Sequence, residues 1–317
     1  MEKGILLKNM EKLKPKVLQK GDNIAIISPS GYVSYQEKFE NAKKYFESKG
    51  YEVTVFPNAK NANNKHKYLA GEDSERLEDL QKAFEDKSIK AILTARGGYG
   101  ALRLLDKIDY KMIQKNPKIF CGYSDITAYH CAIHKKTGLV TFHAPFALAD
   151  FGSEQIDKFT EENFFNILTQ NNINKPLHNA FEYLCIQKGT VQGELIGGNL
   201  CTINSLLGTG FEPNFENKIL FIEDVNEPAY KIDRMLAQLK LCGVFKKIKG
   251  LLVGKFSNEE ENYQEKIIDI LKELQIPCGY GFSATHELQK NTLPLNVKYE
   301  INFANGEILV KENYIEA

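Results

Sequence analysis

The sequence predicts an α/β protein: a parallel sheet covered by helices on both faces, followed by a second domain. Three observations carry this reading. Short apolar runs alternate with helical patterns at the spacing of βαβ units through the first part of the chain. A polar, Asn-rich stretch closed by Lys175 and Pro176 then interrupts the alternation. Beyond it the texture changes, with strand residues and glycines mixed over 190–199. These shifts predict a first domain over 14–150, a linker with one helix over 151–180 and a second domain over 181–317.

Taken in order, residues 23–28 form a continuous apolar strand that ends in the turn Pro29-Ser30-Gly31. A helix follows over 35–48, then a strand over 51–56, a loop rich in Asn, Lys and Ala, and a helix that starts at Ser74 with acids in its first turns. The buried strand 91–94 ends in Arg96-Gly97-Gly98-Tyr99-Gly100, and the apolar run 119–122 ends in Tyr123-Ser124-Asp125 with a helix over 125–135 behind it. A short strand precedes His143, and the linker helix spans about 161–168. In the second domain, helix 200–207 follows the glycine-containing strand, strand 219–222 ends in Glu223-Asp224, and helix 230–241, strand 250–254 and helix 263–274 come next. The chain closes with a loop carrying Gly279, Gly281 and His286, and with strands 297–303 and 307–310 around Asn305-Gly306, a two-residue hairpin signal.

The bulk composition restricts the function classes. With 317 residues, 43% hydrophobic and 26% charged, the chain is an ordinary globular protein. Lys+Arg 41 balances Asp+Glu 41, so no net field draws it to nucleic acid or to an anionic membrane, and small molecules are the expected partners. Around Ile5-Leu6-Leu7 the lysines at 3, 8, 12 and 14 flank an apolar piece too short for a signal peptide, and no membrane span is expected. Six scattered cysteines without a Cys-x-x-Cys pair read as buried free thiols in a reducing cytoplasm.

Ligands of open α/β sheets lie outside the carboxyl ends of the strands. The loops at 28–31, 96–100 and 123–125 all fall at such ends and are expected to meet in one crevice. Ser124 therefore has two readings: with Asp125 it caps a helix, or it is a nucleophile on a sharp strand-to-helix turn, with the next N–H aimed at a developing oxyanion. The Gly-rich loop matches neither G-x-G-x-x-G nor the Walker pattern and suits an oxyanion hole as well as a phosphate cradle. Arginine is scarce, and Arg96 reads better as an ion-pair partner of Asp125 than as a grip on a substrate carboxylate, because no second anchor is visible.

His130 and His134 share a helix face, but Cys131 stands where a zincin has Glu, which favours a structural role over a metal site. As general base, His286 lies in a flexible strand-end loop, while His143 stays open. Glu223 terminates an apolar strand, either as a functional carboxylate or as the partner of a lysine. Residue pattern alone leaves Ser124, Glu223 and His286 as one candidate set among these.

Several ordered motifs narrow the choice. Ala95 to Gly100, Gly122-Tyr123-Ser124-Asp125, Gly193 to Leu200, Glu223 to Pro228 with Ile232 to Leu236, and Gly281 to His286 resemble the LD-carboxypeptidase family of serine peptidases, which includes the microcin-immunity peptidases. The resemblance runs from about Gly21 to the C-terminus. It implies a flavodoxin-like, nucleophile-bearing N-terminal domain and a smaller, β-rich α/β C-terminal domain. It further implies Ser124 as nucleophile, Glu223 as orienter, His286 as base, and an oxyanion hole from the N–H of Asp125 and one from the Gly97-Gly98 turn, with Gly98 the donor. Arg96, Gly97 and Tyr99 become candidate substrate contacts. The implied reaction releases terminal D-alanine from a murein tetrapeptide in cytoplasmic cell-wall recycling, with no metal or organic cofactor, in a homodimer.

One departure is Thr285, where relatives are expected to carry glycine; a β-branched residue tolerates positive φ poorly, which singles out the geometry just before the base. Three other functions are compatible with parts of the pattern. A microcin-immunity-type enzyme cleaving aminoacyl or peptidyl nucleotides would want an aromatic stacking surface, and the chain has no Trp, although Tyr or Phe could serve. A non-catalytic two-domain protein could hold a small ligand in the cleft. An α/β-hydrolase-type esterase is disfavoured by Ile126, which stands where G-x-S-x-G needs glycine.

Overall fold

The computed structural model describes residues 11–60 and 66–317, so the short apolar piece at 5–7 and part of the Asn- and Lys-rich loop lie outside the described residues. The first sheet is built from β1 (Asn23–Ile27), β2 (Glu52–Val55), β3 (Ile89–Thr94), β4 (Ile119–Gly122) and β5 (Phe142–His143). Between them run α1 (Glu37–Ser48), α2 (Asp73–Glu85), α3 (Tyr110–Lys115) and α4 (Thr127–Thr137). The strands are parallel in the order β2-β1-β3-β4-β5, the flavodoxin-like order. Strands β1, β3 and β4 are buried almost throughout, as expected of a parallel sheet covered on both faces.

The helices follow from their apolar spacing. On α1, Phe39, Ala42 and Phe46 fall on one face and are buried. Helix α2 opens with a capping box between Glu72 and Glu75. Helix α4 is buried on nearly every side, because it lies between the first sheet and the second domain, and Gly138 ends it in the left-handed conformation, φ 77°.

After α5 (Lys158–Leu168) the second sheet takes β6 (Leu184–Gln187), β7 (Thr190–Asn199), β8 (Ile219–Val225), β9 (Gly250–Ser257) and β10 (Cys278–Tyr280). Helices α6 (Leu200–Leu206), α7 (Ala229–Leu241), α8 (Val244–Lys247) and α9 (Tyr263–Lys272) connect them. The short strand β11 (Leu293–Pro294) crosses back to pair antiparallel with β5 of the first sheet, and β12 (Lys298–Asn302) and β13 (Glu307–Val310) return to the second. Its order is β13-β12-β7-β8-β9-β10-β6, with β7 to β10 parallel and antiparallel strands at both edges. Leu195, Phe221 and Leu252 of this sheet share one apolar core with Ile119, Cys121 and Phe142 of the first.

Three details depart from the sequence reading. The terminal hairpin closes through 303–306 rather than through Asn305-Gly306 alone, since Asn302 pairs with Glu307. Phe303 is drawn into the core, fully buried, and the Gly306 N–H donates to Asn302 O at 2.9 Å, which lengthens the turn. The cysteines are free, but Cys201 and Cys242 are exposed and Cys185 is partly so; Cys201 lies in the first turn of α6 and Cys242 caps α7, where neither is drawn into a core. The elements α3, α8, β6 and β11 are too short to leave a periodic signal.

The Gly-Gly-Asn end of β7 is where the second sheet meets the helix behind Ser124. A Cβ on Gly198 would stand 2.4 Å from Thr127 Oγ1, and the Asn199 N–H donates to that same hydroxyl at 3.0 Å. Gly198 also has φ +139°, so a side chain is strained there as well as crowded. Gly198→Ala is expected to lower unfolding free energy by about 2–4 kcal/mol in urea titration; a loss within ~0.5 kcal/mol would mean the seam is not close-packed.

Candidate active site

The turn after β4 is sharp because Gly122 admits it: a Cβ there would meet Thr94 Oγ1 at 2.3 Å. Tyr123 is extended, and Ser124 follows in the left-handed region at φ 59°, a sparsely populated state for a non-glycine residue. Neither Ser124 nor Asp125 caps the helix with its side chain, which removes the capping reading. The Ser124 hydroxyl makes no hydrogen bond among the described residues, while Asp125 Oδ2 accepts from Ser30 Oγ and, at 2.8 Å, from Ala101 N. Burial raises the Asp125 pKa against these hydrogen bonds.

The loops after β1, β3 and β4 meet as expected. Gly31 N donates to Gly97 O at 2.9 Å, and a Cβ on Gly97 would lie 2.7 Å from Ser124 Cβ. The Gly98 N–H, left without a hydrogen bond among the described residues, stands beside them. Ser124, Gly97, Gly98, Arg96 and His286 line a common cavity of about 270 Å³.

His286 is held from behind. Its Nδ1 is 2.6 Å from Glu223 Oε2, and Glu223 is wholly buried within β8, two residues before the strand ends. Burial works against the imidazolium, but the charge and hydrogen bond of Glu223, with Asp224 beyond it, outweigh burial and raise the His286 pKa. The neighbouring Asp224 accepts from Asn199 Nδ2, Cys201 N and its own successor Val225 N; burial first, and then the Glu223 charge, push it up to about 6. Thr285 is not among the residues with positive φ. Its methyl packs in the space left by Gly254, where a Cβ would come within 2.7 Å, so the loop accepts a β-branched residue before the histidine.

The remaining candidates depart from the sequence reading. Arg96 is exposed and donates to Tyr32 O at 2.9 Å, so the expected ion pair with Asp125 does not form. The buried arginine of this region is Arg76, which ties the loops after β1 and β3 by donating to Pro29 O at 2.8 Å and Gly100 O at 3.0 Å. Tyr99 is 49% exposed, packs edge-on against Tyr68 and does not line the cavity. His143 is buried, with its pKa well below the usual range, first through burial. His130 contacts Gly122 O at 2.8 Å; burial lowers both His130 and His134 to about 4. No group of three or more metal-ligating side chains occurs among the described residues.

Sequence reasoning missed the pair that fastens the His286 loop to the first domain. Lys290 Nζ lies 2.8 Å from Asp150 Oδ1, and both side chains are buried. Asp150 Oδ2 also accepts from Phe146 N at 2.7 Å, and Phe146 stacks on Tyr123 at 3.9 Å. Lys290 donates in addition to Glu287 O and sits 5.6 Å from the Tyr123 ring centroid. A lysine and an aspartate so far apart in sequence leave no local pattern. Lys290→Met, which strands a buried carboxylate, is expected to cost about 3–5 kcal/mol of stability by urea denaturation; an unchanged midpoint would contradict a buried, coupled pair.

Comparison with known proteins bears on this geometry. Family models for the LD-carboxypeptidase N-terminal and C-terminal domains match residues 24–144 and 192–301. A probable murein peptide carboxypeptidase of Bacillus subtilis is 38% identical over 96% of this chain and 96% of its own length. The microcin C7 self-immunity protein MccF of Escherichia coli is 31% identical over 93% of this chain and 94% of its own. Among solved structures, MccF in complex with glutamyl sulfamoyl guanosine superposes with a TM-score of 0.87 at 29% identity, covering 96% of this chain and 100% of that one. A muramoyltetrapeptide carboxypeptidase from Oxalobacter formigenes does so with a TM-score of 0.79 at 30% identity, covering 93% and 100%.

Proposed function

The chain belongs to the LD-carboxypeptidase family, and from that premise we propose that it is a serine carboxypeptidase that hydrolyses the L,D-peptide bond releasing terminal D-alanine from a murein tetrapeptide. The observation that carries this reading is the contact of His286 Nδ1 with buried Glu223, 2.6 Å, on the wall of the cavity that also holds Ser124. With Nδ1–H donated to Glu223, the Nε2 lone pair of His286 is left to accept the Ser124 proton. Ser124 Oγ attacks the scissile carbonyl carbon, and the N–H groups of Asp125 and Gly98 receive the oxyanion. His286 then gives the proton to the leaving amine as the C–N bond breaks, and a water, deprotonated by the same imidazole, hydrolyses the acyl-enzyme. Arg96 and Gly97 are assigned to substrate contact. The family resemblance supports a cytoplasmic homodimer; among the described residues no helix is long and apolar enough to cross a membrane.

The second reading, cleavage of an aminoacyl nucleotide, is favoured by one observation: the likeness to MccF extends to its complexes with glutamyl sulfamoyl guanosine and aspartyl sulfamoyl adenosine. Hydrolysis of a murein tetrapeptide compared with that of aspartyl sulfamoyl adenosine separates the two.

Ser124→Ala is expected to lower turnover of the tetrapeptide by several orders of magnitude with the melting temperature kept, and wild-type turnover in that variant would remove the nucleophile assignment. The pH profile supplies an independent check. Glu223 raises the His286 pKa, and the base works only when neutral, so kcat/KM rises as pH climbs through that raised value. In Glu223→Gln the raising charge is gone, so the acid limb should shift to lower pH while kcat falls by roughly a hundredfold or more. An acid limb that stays in place would separate Glu223 from the base.

A further inference from the structure

Resting on the peptidase reading, we propose that Lys38 and Arg96 form a carboxylate-binding pair on the wall of the Ser124 cavity, there to receive the free terminal carboxylate of the substrate. The residues lining this cavity include Lys38, Arg96 and His286 but no aspartate or glutamate. In a chain whose charges balance, that wall is locally cationic.

The two cations are also unspent. Arg96 uses Nη1 on Tyr32 O and has no carboxylate partner among the described residues; the acid that its position suggested, Asp125, is taken by Ser30 and Ala101. Lys38, in the first turn of α1, is half-buried with its ammonium 5.8 Å from the Tyr35 ring centroid, and it too has no ion pair among the described residues. Three other lysines of the region are paired, Lys43 with Glu47, Lys49 with Glu161 and Lys60 with Glu40.

Lys38 lies at the start of the helix after β1 and Arg96 in the loop after β3, so both come from carboxyl ends of the first sheet, beside the nucleophile turn. Two cations on one wall are the second anchor that Arg96 lacked in sequence. An exopeptidase has to recognise the charge one residue beyond the bond it cuts, and a cavity this small brings that charge close to Ser124.

The same chemistry could serve the acidic side chain of an aspartyl or glutamyl nucleotide, so the test carries both. Calorimetry on the Ser124→Ala protein would use a murein tetrapeptide, its terminal carboxamide and aspartyl sulfamoyl adenosine. The free acid should bind about tenfold to a hundredfold tighter than the amide. Adding Lys38→Met or Arg96→Met should remove most of that difference, the acid losing far more affinity than the amide. Fluorophosphonate labelling of Ser124 in the two single variants checks that the site stays assembled.

The proposal is overturned if the acid does not bind, if acid and amide bind alike, or if the double variant still discriminates. Loss of affinity for aspartyl sulfamoyl adenosine alone would assign the pair to an acidic side chain and overturn it too. Turnover by the wild-type protein tests the peptidase reading separately: absence of tetrapeptide hydrolysis, with discrimination intact in Ser124→Ala, would remove the reaction and keep the pair.

Discussion

Ser124 hangs from one sheet and His286 from another, so everything the site can do depends on how closely two separately built backbones approach. Side chains would hold them apart. At Gly198 of the second sheet a Cβ would intrude on Thr127, one helical turn behind Ser124, and within the first sheet one at Gly97 would intrude on Ser124 itself. These glycines therefore let the backbone come up against the side chains of the nucleophile turn and of the helix behind it. Behind that bare seam the shared core around Phe142 and Phe221 supplies the adhesion, and β11 stitches the second domain's chain into the first sheet.

Apolar burial alone does not fix a loop to within hydrogen-bonding tolerance, and here buried charge does the fixing. Lys290 and Asp150 bridge the base loop to the turn that carries Phe146, at a desolvation cost that is offset only while both partners are present. The consecutive acids at the end of β8 divide their work through strand alternation, which sends adjacent side chains to opposite faces. Glu223 turns to His286, while Asp224 turns to Asn199 and the Cys201 N–H in the first turn of α6. Glu223 Oε1 is buried with no hydrogen-bond partner among the described residues, so the imidazole is the group that offsets its burial.

The alternation of strands and helices made the first sheet legible, because a parallel sheet buried on both faces writes apolar runs such as 23–28 and 91–94. The convergence of three strand-end loops was legible for the same reason. Pairings between distant positions were not: Asp150 with Lys290, or Arg76 with Pro29 and Gly100, leave no periodicity. Arg96 was misjudged as an ion-pair partner because scarcity in sequence says nothing of burial, and the arginine that is buried proved to be Arg76. The hairpin register likewise turned on a tertiary demand, the burial of Phe303, that outweighed the local Asn-Gly preference.

A serine at a strand-to-helix junction is most often a cap, and the conformation of Ser124 explains why this one is not. A capping residue keeps extended backbone angles so that its oxygen can accept from an N–H two or three residues on. At φ 59° the side chain is turned away from those groups, and the hydroxyl stays free on the cavity wall. That backbone state costs roughly 1–3 kcal/mol. The neighbouring Asp125 helps to offset it, since its buried carboxyl draws in Ser30 Oγ and Ala101 N and so ties the turn to the loops after β1 and β3. The residue that looked like half of a cap is thus an anchor, and by holding the turn it leaves the serine beside it uncommitted.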